Sequence, residues 1–132
     1  MTSAPSKPAA DLINTLTADY QRFPKDQTYS LYAEDVFFKD PMVSFRGVAW
    51  YRRLIQFMDR WFLEAEMTLH EIRQTGDRID TVWTLRWIAP APWKPQMSIS
   101  GRSILQVNSA GLIQSHIDEW DCSRWDVLRQ LF

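Results

Sequence analysis

The chain is predicted to fold as an α+β domain, with helices covering one face of a curved antiparallel sheet. Three observations carry that prediction. Apolar residues fall at helical spacing in two stretches, residues 12–23 and 50–62. After Glu66 the period changes to two and holds through successive runs separated by turn residues. Helices therefore precede strands, the segregated order of an α+β fold rather than the alternating order of a parallel sheet.

Each element follows from local chemistry. Leu12, Ile13, Leu16, Tyr20 and Phe23 fill one arc of a first helix beginning at Asp11, opposite Asn14, Thr15, Ala18, Gln21 and Arg22. Pro24 stops it, having no N–H to donate. A short second helix is expected from Thr28 to Glu34, then a brief strand at Val36-Phe37-Phe38, ended by Asp40-Pro41. The long helix from Val48 to Ala65 is the clearest element. Its apolar residues, from Trp50 to Phe62, cover roughly 160° of the helical wheel, enough to pack on more than one neighbour. Arg52, Arg53, Gln56, Asp59 and Arg60 form its solvated face, and Gly47 sits where the chain must turn into it.

The strands come next. Met67, Leu69 and Glu71 alternate with Thr68, His70 and Ile72 before a turn at Thr75-Gly76-Asp77. Ile79, Thr81, Trp83, Leu85 and Trp87 then share one face of a long strand. Pro90, Pro92 and Pro95 mark a stiff loop around Trp93 that cannot be sheet interior. A strand from Gln96 to Val107, a hairpin turn at Asn108–Gly111 and a last strand from Leu112 to Trp120 follow. Trp125, Leu128, Leu131 and Phe132 make a short amphipathic end.

Composition bounds the function. The 132 residues suffice for one domain, and residues 1–10, rich in Pro, Ala and Ser, are expected to be a flexible tail ahead of a single domain over 11–132. A net charge of −1 argues against a nucleic-acid partner. No apolar run reaches membrane-span length, and MTSAPSKPAA has no signal-peptide core, so a cytoplasmic protein without membrane contact is expected. Cys122 is the only cysteine, which excludes an internal disulfide and fits a reducing compartment. His70 and His116 are too far apart for a local zinc motif, and no glycine-rich phosphate loop exists, so neither metal nor cofactor is expected. Aromatic residues make up 14% of the chain, with seven tryptophans beside four glycines, which calls for a large core, an apolar pocket or an interface.

The order of helix, short helix, YAEDVFFKDP, Gly47 with a long helix, then hairpins ending in GLIQSHIDEWD resembles the nuclear-transport-factor-2-like superfamily over residues 11–132. That superfamily holds ketosteroid isomerase, scytalone dehydratase, limonene epoxide hydrolase and the SnoaL-like polyketide cyclases. The strings FFKDP, FRG, PW, ISGRS and IDEWD are most similar to an uncharacterised cyanobacterial and plastid group, which implies no activity. The resemblance implies a cone-shaped antiparallel sheet with three helices on its concave face, and a homodimer through the open sheet face.

It also implies site residues. Asp40 matches the general base of ketosteroid isomerase, whose task needs a carboxylate desolvated among apolar side chains. The competing reading is structural: Asp40 accepts backbone N–H bonds and fixes the turn before Pro41. Tyr20 falls near the isomerase's oxyanion-hole tyrosine, but its acidic partner is replaced by Ser103. His116, Asp118 and Trp120 share one side of the last strand, and Asp121 matches the acid/base aspartate of SnoaL-like cyclases to within one residue. The other parity would put Ile113 and Ile117 inside and leave His116 and Asp118 in water. The expected pocket is lined by Phe38, Trp50, Leu54, Trp83 and Trp120, with Asp40 turned inward and paired with Tyr20 or His116.

Two function classes follow. One is a domain that binds a small apolar ligand, with or without acid–base chemistry of the isomerase, cyclase or hydrolase kind. The other is a non-enzymatic homodimeric interaction module whose outer sheet face carries Val82, Ile88 and Ile104. A connected apolar cavity holding an inward carboxylate favours the first, and a cone filled solid by aromatics favours the second.

Overall fold

The computed structural model describes residues 3–132. In chain order it has α1 (Ser3–Arg22), a 3-10 turn (Tyr29–Leu31), β1 (Tyr32–Lys39), β2 (Ser44–Arg46), α2 (Val48–Trp61), β3 (Leu63–Thr75), β4 (Arg78–Ile88), β5 (Gln96–Val107), β6 (Ile113–Trp120) and α3 (Arg124–Arg129). The six strands form one curved sheet in the order β2-β1-β6-β5-β4-β3. All three helices pack against it, α1 over β3, α2 over β1 and β3, and α3 over β5. The fold is α+β with a cone-like sheet, as predicted.

Several local expectations need correction. One pairing is parallel, that of β1 with β6, so the sheet is not wholly antiparallel. Parallel neighbours need a long crossover, and here the whole of β2, α2 and β3–β5 supplies it. The helix expected at Thr28–Glu34 is only the turn Tyr29–Leu31, because residues from Tyr32 onward are taken into the sheet against Ile113 of β6. The long helix ends at Trp61, not Ala65: Phe62 N–H closes on the Met58 carbonyl, and Glu64 takes φ +50° as the chain turns back to pair with β4. The strand β2 has no counterpart in the sequence reading, being three residues long. Met1 and Thr2 of the expected tail lie outside the described residues, and from Ser3 the backbone is helical, upstream of the predicted start at Asp11.

The core divides along the cone. Trp83, Leu85, Trp87, Met97 and Ile99 of the central strands pack with Val127 of α3. Leu16 of α1 meets Val36, Ile79, Leu105 and Ile113, and Phe38, Tyr51 and Ile55 join α2 to β1. Strand β4 shows the predicted alternation, with Ile79, Thr81, Trp83, Leu85 and Trp87 all buried. Gly101 has no room for a side chain: a Cβ there would collide with the Glu119 carbonyl oxygen of β6. That contact holds β5 close to the segment carrying Trp120.

A bulge decides what faces inward from β6. Gln106 pairs with Ser115 but Val107 pairs with Ile113, which leaves Gln114 unopposed. Gln114 spends its side chain on Asp35 (3.0 Å) and Asn108 (3.0 Å). The extra residue shifts parity, so Ile113 and His116 are both buried.

Candidate functional site

The concave side of the sheet and the three helices enclose a cavity of about 310 Å³. Its wall is mostly apolar and aromatic, drawn from α1 (Tyr20), the turn after it (Phe23), β1 (Phe38), α2 (Leu54, Met58), β4 (Trp83, Trp87) and β6 (Trp120). Three carboxylates, Asp19, Asp40 and Asp118, and His116 interrupt it.

The polar centre is a directed hydrogen-bond chain on β4, β5 and β6. Trp83 donates its indole N–H to Ser103 Oγ at 2.9 Å, and an indole can only donate. Ser103 therefore passes its own proton on, to Asp118 Oδ1 at 2.5 Å. The same Oδ1 lies 2.7 Å from His116 Nε2. Asp118 is thus an acceptor twice over through one oxygen, and among the described residues no donor reaches Oδ2.

His116 is held by rings. Phe38, Tyr51 and Tyr32 surround its imidazole at centroid distances of 5.0, 5.6 and 6.2 Å. Its Nδ1 is buried without a hydrogen-bond partner. Asp118 Oδ1 can only accept, so the ring donates its Nε2–H there, its one hydrogen bond among the described residues.

Three tyrosines sit around this centre. Tyr20 Oη bonds Thr81 Oγ1 at 2.8 Å, and Tyr32 Oη lies 3.3 Å from Tyr51 Oη. Burial, reinforced by the Asp118 charge, pushes the Tyr20 phenol up to about 12. Burial also raises Tyr32 and Tyr51 well above the ordinary phenol range. These phenols keep their protons at neutral pH.

Asp40 combines the two readings set against each other above. Its Oδ1 accepts the N–H of Met42 at 2.7 Å and of Val43 at 2.8 Å, so it does fix the turn after Pro41. It also borders the cavity, and desolvation raises its carboxyl despite those two donors, with Asp118 adding to the rise. Neither Tyr20 nor His116 pairs with it: they are committed to Thr81 and Asp118.

The structure sorts the remaining candidates. Phe38, Leu54, Trp83, Trp120, Tyr20, His116 and Asp118 meet at the cavity. Trp50 does not: it is 56% exposed on the outer side of α2, its ring under the Arg53 guanidinium. The wide apolar arc of α2 is only partly covered, and Trp50 lies at its uncovered margin beside Phe57 and Trp61. Asp121 is also outside, exposed beyond the end of β6, where only its backbone N–H joins the sheet by bonding the Ser100 carbonyl. Trp93 does not reach the cavity, and its indole is anchored on the Leu131 carbonyl at 2.6 Å.

Sequence reasoning missed Tyr32, Tyr51 and Asp19. The tyrosines read as apolar members of their elements, and only the fold brings them to His116. Asp19 is buried and structural: it accepts from Arg22 at 2.5 Å and from the Thr28 N–H at 2.9 Å, tying the end of α1 to the loop beyond Pro24. Its signal was a carboxylate on the apolar side of α1, next to Tyr20.

No helix among the described residues is long and apolar enough to cross a membrane. A family model described as an uncharacterised conserved protein (DUF2358) matches residues 10–116. No curated protein matches. Similar solved structures include a hypothetical protein of ketosteroid isomerase-like fold from Catenulispora acidiphila, in complex with trimethylamine (TM-score 0.71, 16% identity, 90% of each chain covered). An LEH-like epoxide hydrolase from M. tuberculosis matches with TM-score 0.70 and 18% identity over 95% of this chain and 90% of that one. A putative polyketide cyclase from Xanthomonas campestris gives 0.71 and 16% over 94% and 97%. At these identities the likeness establishes a shared nuclear-transport-factor-2-like fold.

Proposed function

The chain belongs to the DUF2358 family of uncharacterised conserved proteins, and from that starting point we propose that its cone binds a small apolar ligand and performs acid–base chemistry on it. The observation that carries this reading is a connected apolar cavity of about 310 Å³ with Asp118 on its wall, one carboxylate oxygen held and the other without a donor among the described residues. In this reading Asp118 is the base. Ser103 and His116 are positioning residues that fix Oδ1, and Tyr20, protonated at neutral pH and held by Thr81, borders the cavity as a neutral phenol. The likeness to a cyclase and an epoxide hydrolase supports a small-molecule site of this general kind. The strings FFKDP, FRG and IDEWD support placing the chain with cyanobacterial and plastid relatives.

Proton abstraction has a readout that does not require the natural substrate. A panel of cyclic ketones incubated with the protein in D2O should exchange the hydrogens next to the carbonyl faster than buffer does, and Asp118→Asn should remove the acceleration. If no ketone perturbs the indole NMR signals of Trp83 or Trp120, and none exchanges, the reading is wrong.

A second reading concerns assembly. On the outer sheet face Val82 is 37% exposed, with Ile104 and Ile117 part-buried near it and Ile88 further along β4, and the Arg102–Glu119 and Arg78–Asp80 pairs interleave with them. This face supports a homodimer. Sedimentation showing only the 15.6 kDa monomer at micromolar concentration would refute it; a dimer that Val82→Arg dissociates would support it.

A further inference from the structure

We infer that the cavity selects a ligand bearing a positive charge on an apolar body, the class of tertiary and quaternary ammonium compounds. The inference rests on the cavity being a ligand site, as proposed above, and adds the sign of the ligand's charge.

The charge of the cavity wall is set by a few ionisable groups. Asp19 is neutralised by Arg22 and turned toward Thr28. Arg124 also borders the cavity; its guanidinium lies 5.6 Å from the exposed Trp125 ring and, among the described residues, forms no ion pair with Asp40 or Asp118. His116 gives its Nε2–H to Asp118 Oδ1, and among the described residues its other ring nitrogen has no partner. The tyrosines are protonated. Asp40 and Asp118 are left, and neither forms an ion pair with a lysine or arginine among the described residues.

A neutral apolar ligand filling this space would expel water from both carboxylates and return no counter-charge, which is costly for buried ions. A cation removes that cost. The surrounding rings act in the same direction, since the faces of Tyr32, Tyr51, Trp83, Trp87 and Trp120 carry negative quadrupole potential, which attracts cations. An ammonium with methyl groups suits such a wall better than a hydrated one, because its shell is apolar while its charge is not.

The test uses a pair of probes of one shape and two charges: benzyltrimethylammonium and its carbon isostere, neopentylbenzene. Binding is followed in the full chain by NMR titration of the tryptophan indole signals. The ammonium should bind about tenfold or more tighter than the isostere. Asp40→Asn and Asp118→Asn should each reduce that ratio, the first without disturbing the turn because the amide oxygen still accepts the Met42 and Val43 N–H groups. Far-UV circular dichroism checks that each variant is folded. If the isostere binds as tightly as the ammonium, the charge inference is overturned while the apolar site stands. If neither probe moves the Trp83 and Trp120 signals, the ligand site and the inference built on it both fail. A preference for the ammonium that survives both substitutions would also overturn the inference, since the carboxylates are its stated cause.

Discussion

Removing the Asp118 carboxylate while leaving everything else in place tests the hydrogen-bond chain that organises the cavity. In Asp118→Ala the buried Ser103 hydroxyl and the buried His116 Nε2–H both lose their acceptor. Each orphaned buried donor costs about 1–3 kcal/mol. Two set an upper scale of about 6 kcal/mol, and two effects reduce it. Asp118 is 17% exposed on its side chain, so water from the cavity can reach part of the gap. Loss of a partly buried charge with no cationic partner is itself favourable. The net expectation for Asp118→Ala is a destabilisation of about 2–3 kcal/mol. Asp118→Asn keeps an oxygen where both donors point and should cost about 1 kcal/mol or less. Urea denaturation followed by far-UV circular dichroism gives the two values. Tryptophan fluorescence adds a local readout, because the Trp83 indole donates to the same Ser103 hydroxyl. If the alanine and asparagine variants agree within about 0.5 kcal/mol, the scale of surface substitutions, the chain does not depend on an acceptor at this position and the site geometry argued from it is wrong.

Three further outcomes follow from the same structure. Tyr20 has a folded-state pKa raised to about 12 from 10.0, so the protonated phenol favours folding and its contribution is complete below pH 10. Stability should fall as the pH rises from 10 to about 12, and Tyr20→Phe should flatten that part of a pH–stability curve measured by chemical denaturation. Asp40→Asn should leave the protein folded and more stable by about 0.5–1 kcal/mol near neutral pH. Because burial raises this carboxyl, the advantage should disappear on acidification, when the native aspartate is neutral too; a loss of several kcal/mol would instead make Asp40 a structural anchor. Gly101→Ala puts a methyl group against the Glu119 carbonyl oxygen and should cost about 3 kcal/mol or more, visible as a lowered thermal midpoint; an unchanged midpoint would mean β5 and β6 separate freely there.

Element type was legible in the sequence wherever one period ran long enough. The alternation from Ile79 to Trp87 fixes a half-buried strand because side chains on a strand repeat every two residues, and the apolar arc after Gly47 fixes a helix for the equivalent reason. The turn at Asn108–Gly111 was also readable, since the Asn108 side chain caps the Ala110 and Leu112 N–H groups and Gly111 takes φ +80°. Local sequence also places His116, Asp118 and Trp120 on one side of β6. It cannot say which side is inside. That depended on the unopposed Gln114, which resets parity so that Ile113 and His116 both face the core, and on the parallel pairing of β1, which brings Phe38 opposite His116. The same limit explains the two misplaced candidates. Trp50 and Asp121 have the right chemistry, but α2 turns Trp50 outward and β6 ends before Asp121. Periodicity is a property of neighbours along the chain, whereas inward and outward are set by register and curvature, which arise only when distant strands pair.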